Sequence, residues 1–316
     1  MRNQFYKYYF LLLFSLTYSN KILAQEKLNV FTVVDSITKK PIPSASIVVM
    51  RAKLAISTEK DGIFIIPGNL KKMRDTVIVS AQSYSSCAML IDKMEGLDSI
   101  KLTKFVKPVV LAKLDDKNTK SLNVFNRKEV VHYAGLHTET STFEYLELAQ
   151  QFYITKPIAI LKKLSINRLA FNLHGEYQNS IVGMEVTKFG IRIYDADTIK
   201  GGPGREISDR LIQINNKDNR ILTINLENHN ILITGKSFFV AIEWMRDFTN
   251  QGFDMVFQKK TMSYIKLVNF RPAIGISPIK GDKLNIWGLN MKRQWKPYTY
   301  FSPDYTDLAI IATVAQ

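Results

Sequence analysis

The fold is decided by one run of eight residues, Phe238-Phe239-Val240-Ala241-Ile242-Glu243-Trp244-Met245. Successive side chains of a β-strand point to opposite faces of its sheet. In this run apolar side chains fall on both faces, so the strand has to be covered on both sides. The run therefore predicts a central strand of a β-sheet.

Shorter runs on either side of this strand alternate between apolar and polar residues. Phe189, Ile191 and Ile193 share one face of an extended chain, and Arg192 takes the other. This period of two is typical of half-buried strands. Further strand-like runs occupy residues 158–170, 222–226, 231–233 and 308–314. Residues 129–316 are therefore predicted to form an antiparallel, jelly-roll-like β-sandwich.

The chain ahead of this region alternates short β-prone runs with turn residues. The runs occupy residues 28–34, 45–50, 63–66, 75–81 and 99–102. Pro41 and Pro43 exclude a helix between the first two runs. The pair Asp61-Gly62 predicts a hairpin turn, because glycine accepts a positive φ. Residues 26–103 are thus predicted to form a small β-sandwich, and the whole chain is predicted to be all-β.

The order of these elements resembles the carboxypeptidase regulatory-like domain, a transthyretin-like β-sandwich. The resemblance covers residues 28–103, and two positions depart from the family pattern. Ser83 stands where glycine is usual before Tyr84, and Lys60 stands where aspartate or threonine is usual. The matching elements are Val34-Asp35, Thr38…Pro41-Ile42-Pro43-Ser44-Ala45, Ser57-Thr58…Asp61-Gly62-Ile63-Phe64 and Val77-Ile78-Val79-Ser80…Tyr84.

The larger half resembles the C-terminal domain of uncharacterised surface proteins of Gram-negative bacteria. The matching residues are Ile191-Arg192-Ile193-Tyr194…Gly202-Pro203-Gly204, Leu222-Thr223-Ile224-Asn225-Leu226…Asn230-Ile231 and Phe238-Phe239-Val240-Ala241-Ile242-Glu243-Trp244. These are strand and turn signatures. The resemblance therefore implies an architecture and not an activity.

The N-terminus has the pattern of an export signal over residues 1–24. Arg2 and Lys7 precede an apolar core at residues 10–16, and Ala24 supplies the small residue that a signal peptidase needs. That core is too short to cross the roughly 30 Å of bilayer hydrocarbon as a helix. No later stretch approaches the length of an apolar span, so no transmembrane segment is expected after cleavage. We expect an exported protein of the periplasm, outer membrane or cell surface. The single cysteine, Cys87, is expected to be a buried structural thiol.

The formal net charge is +15, and its excess is densest in residues 104–128. This segment has seven basic and two acidic residues, and it is predicted to be a basic linker between the two sandwiches. A nucleic-acid-binding surface interleaves basic and aromatic residues over a folded face. The sequence has no such pattern, so no nucleic-acid partner is expected.

Motifs for catalysis or cofactor binding are missing from the sequence. A zinc peptidase needs His-x-x-Glu and a distant histidine, but no acidic residue lies three positions after any of the four histidines. His137 with Glu139, and His174 with Glu176, each supply two potential ligands without an evident third. Asp195-Ala196-Asp197 is similar to a calcium-binding turn but has no downstream glutamate at the expected spacing. Neither a Gly-x-Ser-x-Gly elbow nor a phosphate-binding glycine motif occurs, so the prediction is no metal, no cofactor and no enzyme.

Four residues are the candidates for ligand binding. Glu243 is a carboxylate inside an apolar strand, where it needs a partner. An ion pair with Arg192 or Arg246 is the favoured interpretation over a catalytic acid. The aromatic tract with Trp295, Tyr298 and Tyr300 could bind a sugar ring or a protein, and the alternative is core packing under the last strand.

These observations predict a non-catalytic exported envelope protein. The small sandwich would serve as a spacer or adaptor, and the larger one as a recognition module for a glycan or an envelope protein. A hydrolase with a site assembled on the larger sandwich, starting from Glu243, is the alternative from another class. A purely structural envelope component is the third interpretation.

Overall fold

The structure, a computed structural model, describes residues 29–52, 54–81, 83–104, 118–137, 144–169, 187–208, 211–215, 220–246 and 250–316. Within these ranges the protein is all-β, as predicted, and its helices are short 3₁₀ turns. The turns are Gly68–Met73, Ile91–Met94, Arg127–Glu129 and Glu227–His229. No helix in this part of the chain is long and apolar enough to span a bilayer.

The N-terminal region forms a sandwich of two small sheets. Its strands are β1 (Asn29–Asp35), β2 (Ser46–Val49), β3 (Leu54–Ser57), β4 (Ile63–Ile66), β5 (Thr76–Ser80), β6 (Cys87–Leu90) and β7 (Ser99–Leu102). The first sheet has the order β4-β1-β7, and the second has the order β3-β2-β5-β6. Alternate residues of these strands, including Val33, Ile47 and Val79, pack between the sheets as one core. Cys87 is only partly buried and packs against this core.

The predicted turn at Asp61-Gly62 is present, but the predicted hairpin is wrong. Strand β3 pairs with β2, whereas β4 pairs with β1 in the opposite sheet. The turn therefore carries the chain from one sheet to the other. Gly62 has a φ of +72°, and a Cβ at this position would lie 2.8 Å from the carbonyl oxygen of Val33. Glycine is needed here for both reasons.

The C-terminal region forms a larger sandwich from strands β8 to β22. They are β8 (Thr119–Leu122), β9 (Tyr133–His137), β10 (Tyr145–Tyr153), β11 (Ala159–Leu169), β12 (Thr187–Ala196), β13 (Pro203–Glu206), β14 (Leu211–Asn215), β15 (Ile221–Asn225), β16 (Ile231–Ile233), β17 (Ser237–Trp244), β18 (Gln251–Gln258), β19 (Ser263–Gly275), β20 (Ile286–Asn290), β21 (Trp295–Pro297) and β22 (Ile310–Ala315). The pairings among these strands are antiparallel.

Two sheets make up this larger sandwich. One has the order β13-β12-β17-β10-β20-β21, with β14 also paired to β12. The other has the order β18-β19-β11-β22-β8, with β9, β15 and β16 attached to it. Phe238, Val240 and Ile242 of β17 point into the core between the two sheets. The opening sequence run is the central strand that its pattern predicts, since β17 lies between β12 and β10.

The described end of the segment predicted as a linker, residues 104–128, contains a strand. Thr119–Leu122 forms β8, which pairs with β22 at the edge of the larger sandwich. Only Leu122 of this strand is buried. The short strand has a single inward apolar residue, and that explains why its sequence does not stand out as β-prone. The other end of the predicted linker, residues 105–117, lies outside the described ranges.

The two sandwiches stack against each other through their sheets. Val48 and Ala55, on the face of the β3-β2-β5-β6 sheet that points away from the small core, are buried. They pack with Leu146, Leu289 and Met291 of the larger sandwich in one apolar cluster. Four sheets are therefore stacked, and the middle two form an interface between the sandwiches.

Candidate functional site

A group of ionisable side chains lies on the outer face of the larger sheet, where the small sandwich covers it. Strand alternation places Glu147 of β10, Arg192 of β12 and Glu243 of β17 on the face opposite the core. Glu147 and Glu243 are direct partners in the β10–β17 register, and Arg192 lies on the next strand. Together with Tyr194 and Glu206 they form what we call the ionic cluster.

Arg192 is the centre of the ionic cluster. Its Nη1 donates a hydrogen bond of 2.9 Å to Glu206. Its Nη2 and Nε donate to the two carboxylate oxygens of Glu243, over 3.2 and 3.3 Å. Nε also lies 3.5 Å from a carboxylate oxygen of Glu147. One guanidinium thus holds three carboxylates, a role for which its planar array of donors is suited.

Two further contacts complete the ionic cluster and attach it to the small sandwich. The Tyr194 hydroxyl donates to Glu147 over 2.9 Å. Arg192 Nη2 donates to the Ser80 hydroxyl of β5 over 3.3 Å. Nearby, Lys188 Nζ donates to the Ser57 hydroxyl of β3, also over 3.3 Å. The small sandwich therefore closes over the cluster with hydroxyl groups that accept from the basic residues.

Burial shifts the proton affinities within the ionic cluster. The side chains of Glu147 and Arg192 are 3% and 9% exposed. Loss of solvent raises the pKa of Glu147 from 4.5 to about 7, although Arg192 acts in the opposite direction. Burial also lowers the pKa of Arg192, but Glu243 and the other acidic neighbours more than offset this, so its pKa lies above the ordinary value. Arg192 is therefore always charged, whereas Glu147 can gain or lose a proton near neutral pH.

Glu243 has the partner that the sequence suggested, since it is ion-paired with Arg192. The other suggested partner, Arg246, lies elsewhere. Its Nη2 donates to the carbonyl oxygen of Tyr145 and contacts the sulfur of Met291, and burial lowers its pKa to about 10. Sequence reasoning missed Glu147 and Glu206. The signal for Glu147 is of the same kind as for Glu243, an acidic residue inside an apolar strand.

The aromatic candidates divide between two places. Trp295 is half-buried and packs edge-on against Tyr194, with ring centroids 5.5 Å apart. It belongs to the apolar packing beside the ionic cluster and the small sandwich. Tyr298 packs against the larger core and lies edge-on to Tyr145 at 5.5 Å. Tyr300 alone of the three candidates is largely exposed, at 54%. Its ring lies edge-on to Phe301 at 5.0 Å.

The two pairs that could have supplied metal ligands fall partly outside the described residues. Glu139, His174 and Glu176 belong to segments that the structure does not describe. In the described part of the chain no three His, Cys, Asp or Glu side chains converge in a way that could hold a metal ion. The carboxylates of Asp195 and Asp197 accept backbone N–H groups, from Arg205 and from Ile199 and Lys200. Those bonds organise the adjacent turns.

The geometry of the ionic cluster fixes what it can do chemically. It pairs a carboxyl of raised pKa, Glu147, with a second carboxylate on the neighbouring strand, Glu243, and this is the kind of pair used in acid–base hydrolysis. Both carboxylates, however, contact one arginine beneath the small sandwich. In this closed arrangement Glu147, Arg192 and Glu243 are buried where the two sandwiches meet, whereas the side chain of Glu206 is 31% exposed.

Comparisons with known proteins give distant structural likenesses. No family model matches the chain, and no curated protein matches it. The solved structures it is similar to include the clostridial cysteine protease Cwp84 after propeptide cleavage (11% identity, TM-score 0.37, 77% of this chain and 51% of that chain). Another contains the cysteine protease and lectin-like domains of Cwp84, a surface layer associated protein of Clostridium difficile (9% identity, TM-score 0.36, 86% and 58%). A third is the infectious bursal disease virus VP2 subviral particle (10% identity, TM-score 0.20, 91% and 63%).

The chain spans between about half and two thirds of the length of these proteins, 51% to 63%. Likeness at this level supports neither a shared fold nor a shared function.

Proposed function

We propose that this protein is a non-catalytic, exported binding protein of the bacterial envelope, whose small sandwich is a fixed adaptor on a larger recognition sandwich. The observation that supports it most is the ionic cluster. Arg192 ties Glu147, Glu206 and Glu243 together and extends to Ser80 of the small sandwich. In this proposal the acidic residues of the larger sheet serve the joint between the two units. We propose export because of the N-terminal sequence pattern. We propose that the small sandwich is similar to the carboxypeptidase regulatory-like domain because its strands and turns follow that order.

A buried charge network is suited to such a joint because it is selective about geometry. Its parts are costly to bury unless every charge has a partner. Arg192 meets its three carboxylates and Ser80 together only when the two sandwiches are docked in one register. The apolar contact of Val48 with Leu146 and Leu289 supplies the burial that stabilises docking. We therefore propose a fixed relation between adaptor and recognition module.

The proposed recognition surface is the aromatic corner formed by the exposed Tyr300 and its partly buried neighbour Phe301. Tyr298 lies beneath it, 6.4 Å from Tyr300 between ring centroids, and anchors the corner to the core. An exposed tyrosine held by a packed neighbour can stack on a sugar ring at little cost in side-chain entropy. The favoured ligand class is a glycan, with an envelope protein as the alternative.

Glycan-array binding of the purified protein tests this surface. Tyr300→Ala is expected to reduce binding to any captured glycan by about two- to tenfold, since one aromatic stacking contact contributes about 0.5–1.5 kcal/mol. Tyr153→Ala is the matched control, because Tyr153 is a similarly exposed tyrosine on a strand, at 50%. A wild-type protein that captures no glycan and no envelope protein would contradict the recognition role. Equal loss in both variants would contradict the assignment of the surface.

A hydrolase remains the second candidate because Glu147 and Glu243 are neighbouring carboxylates with one raised pKa. Activity would require the small sandwich to move away from the ionic cluster. Screening of glycoside and peptide libraries with wild type, Glu243→Gln and Glu147→Gln separates the two proposals. Turnover that disappears in both variants would replace the binding proposal with this one. Activity absent from the wild type, or unchanged in both variants, would remove the hydrolase.

A further inference from the structure

The hairpin of β18 and β19 ends in a cationic, aromatic tip on the larger sandwich. The two strands pair in continuous register from Gln251↔Phe270 to Gln258↔Ser263. Lys259 to Met262 form the turn between them. The other edge of β19 is paired, within the described ranges, with β9 from Asn269 onward and with β11 at its end. Among the described residues, no further strand pairs with the outer part of the hairpin.

Large apolar side chains are exposed at this tip. Met262 is 76% exposed, Tyr264 63% and Phe257 43%. Phe257 and Tyr264 are direct partners across the hairpin, and their rings contact each other at 5.2 Å. Exposed apolar residues that are clustered in this way typically mark a surface that docks on something apolar.

Met262 supplies a second and independent observation. Its backbone has a φ of +50°, a conformation in which a long side chain is disfavoured and glycine or asparagine is preferred. The turn itself is held by polar contacts, with the Thr261 hydroxyl 2.8 Å from that of Ser263. The side chain of Met262 is 76% exposed and is therefore available for contact with a partner.

The charge that the hairpin itself carries at its tip has one sign. Lys259 and Lys260 are exposed in the turn, and Lys266 is exposed on β19. The sequence has no acidic residue between Asp254 and Asp282. The partner of this tip should therefore combine a negatively charged surface for the lysines with an apolar layer for the exposed apolar side chains. An anionic lipid surface has both properties, because lysines meet the headgroups while aromatic and methionine side chains enter the acyl boundary.

We propose that the β18–β19 tip docks the protein on anionic lipid membranes, with Phe257, Met262 and Tyr264 entering the interface and Lys259 and Lys260 contacting the headgroups. An acidic protein or a nucleic acid would use the lysines but would leave three exposed apolar side chains without a role. This inference is independent of the glycan surface, because Tyr300 follows β21 of the opposite sheet.

Co-sedimentation of the full chain with lipid vesicles tests the proposal. Wild type is expected to bind vesicles that contain phosphatidylglycerol and not vesicles of phosphatidylcholine alone, with binding that falls as salt rises. Lys259→Glu with Lys260→Glu should weaken binding by about thirtyfold or more, since each lysine at an anionic surface accounts for about a fivefold change. The matched control is Lys39→Glu with Lys40→Glu, an adjacent exposed pair in a turn of the small sandwich.

Insertion of the apolar side chains is tested separately. Phe257→Trp places a reporter at the tip, whereas the three natural tryptophans lie at positions 244, 287 and 295. Vesicles with brominated acyl chains should quench the new tryptophan and leave wild-type emission nearly unchanged. Equal binding of the two double-lysine variants would overturn the proposal. So would a new tryptophan that brominated lipid does not quench, or binding to soluble polyglutamate as tight as to vesicles.

Discussion

At the scale of single residues, Arg192 is the side chain that holds the ionic cluster together and reaches Ser80 of the small sandwich. It is the buried positive charge that meets all three carboxylates of the ionic cluster. An isolated surface pair typically contributes less than about 1 kcal/mol, whereas a buried charge that loses its partner is strongly destabilising. Removing the buried charge of Arg192 should therefore destabilise the fold far more than removing the exposed charge of Arg205, although both are paired with acidic residues.

Arg192→Met should lower the free energy of unfolding by about 3–5 kcal/mol, because it leaves buried carboxylates without a countercharge. Arg205→Met is the control. Arg205 is 81% exposed and lies 3.6 Å from Asp195, so its loss should change stability by less than about 1 kcal/mol. Urea unfolding at pH 7.5 measures both. Similar small effects for the two variants would mean that the ionic cluster does not stabilise the fold.

Glu147 should give the protein a specific pH dependence. Its pKa in the folded state is about 7, above its ordinary value of 4.5, and burial is the main cause. The folded state therefore binds this proton more tightly than the unfolded chain. The stabilisation is complete below about pH 4.5 and is lost as pH rises through about 7.

Glu147→Gln should remove this dependence, because the amide resembles the neutral acid. Between pH 5 and pH 8 the wild type should lose about 1–3 kcal/mol more unfolding free energy than the variant. Urea unfolding of both proteins at pH 5 and pH 8 measures these free energies. Titrations that the two proteins share cancel when the two pH-dependent changes are subtracted. Parallel stability curves would show that Glu147 keeps an ordinary pKa.

At the scale of strands and sheets, the outer face of the β3-β2-β5-β6 sheet is the element that makes the interface. Val48 on this face is 4% exposed, whereas Ile65 on the outer face of the other small sheet is 44% exposed. Each belongs to a strand of the same small sandwich. The pair therefore allows a comparison of interface with free surface within one domain.

Val48→Asp should uncouple the two sandwiches, because it buries an unpartnered carboxylate against Leu146 and Leu289. Differential scanning calorimetry should then record two transitions, with the small sandwich melting first. Ile65→Asp should leave the single transition of the wild type close to its original temperature. Two transitions in both variants, or in neither, would contradict this account of the interface.

Several elements could be predicted from the sequence because their patterns are local. The two-sided apolar run of β17 and the alternation in β12 depend only on neighbouring residues. The pairing partners depend on distant residues. Hence the sequence predicts the turn at Asp61-Gly62, but it does not predict that this turn connects two different sheets.

The ionic cluster was only partly predictable for the same reason. The ion pair of Glu243 with Arg192 follows from the need of a buried carboxylate for a countercharge. Glu147 lies 45 residues before Arg192 in the numbering, and Ser80 belongs to the other sandwich. Their convergence results from strand order and sandwich docking, which no local pattern encodes. Trp295 packs at this interface as well, and this position also results from the docking of the two sandwiches.

At the scale of the whole molecule, the central claim is that the four sheets form one stack. The interface between the sandwiches combines the Val48 apolar cluster with the hydroxyl contacts of Ser57 and Ser80 to Lys188 and Arg192. If this interface is strong, the two sandwiches stay together without the covalent connection between them. The domain limits predicted from the sequence, 26–103 and 129–316, suggest where to cut.

A protease site inserted between residues 104 and 118 tests this claim most directly, with the cleaved protein analysed by size-exclusion chromatography. The account predicts that the two fragments elute together at the position of the uncut chain, and that they separate once Val48→Asp is introduced. Fragments of the otherwise unaltered protein that elute separately after cleavage would contradict the stacked arrangement.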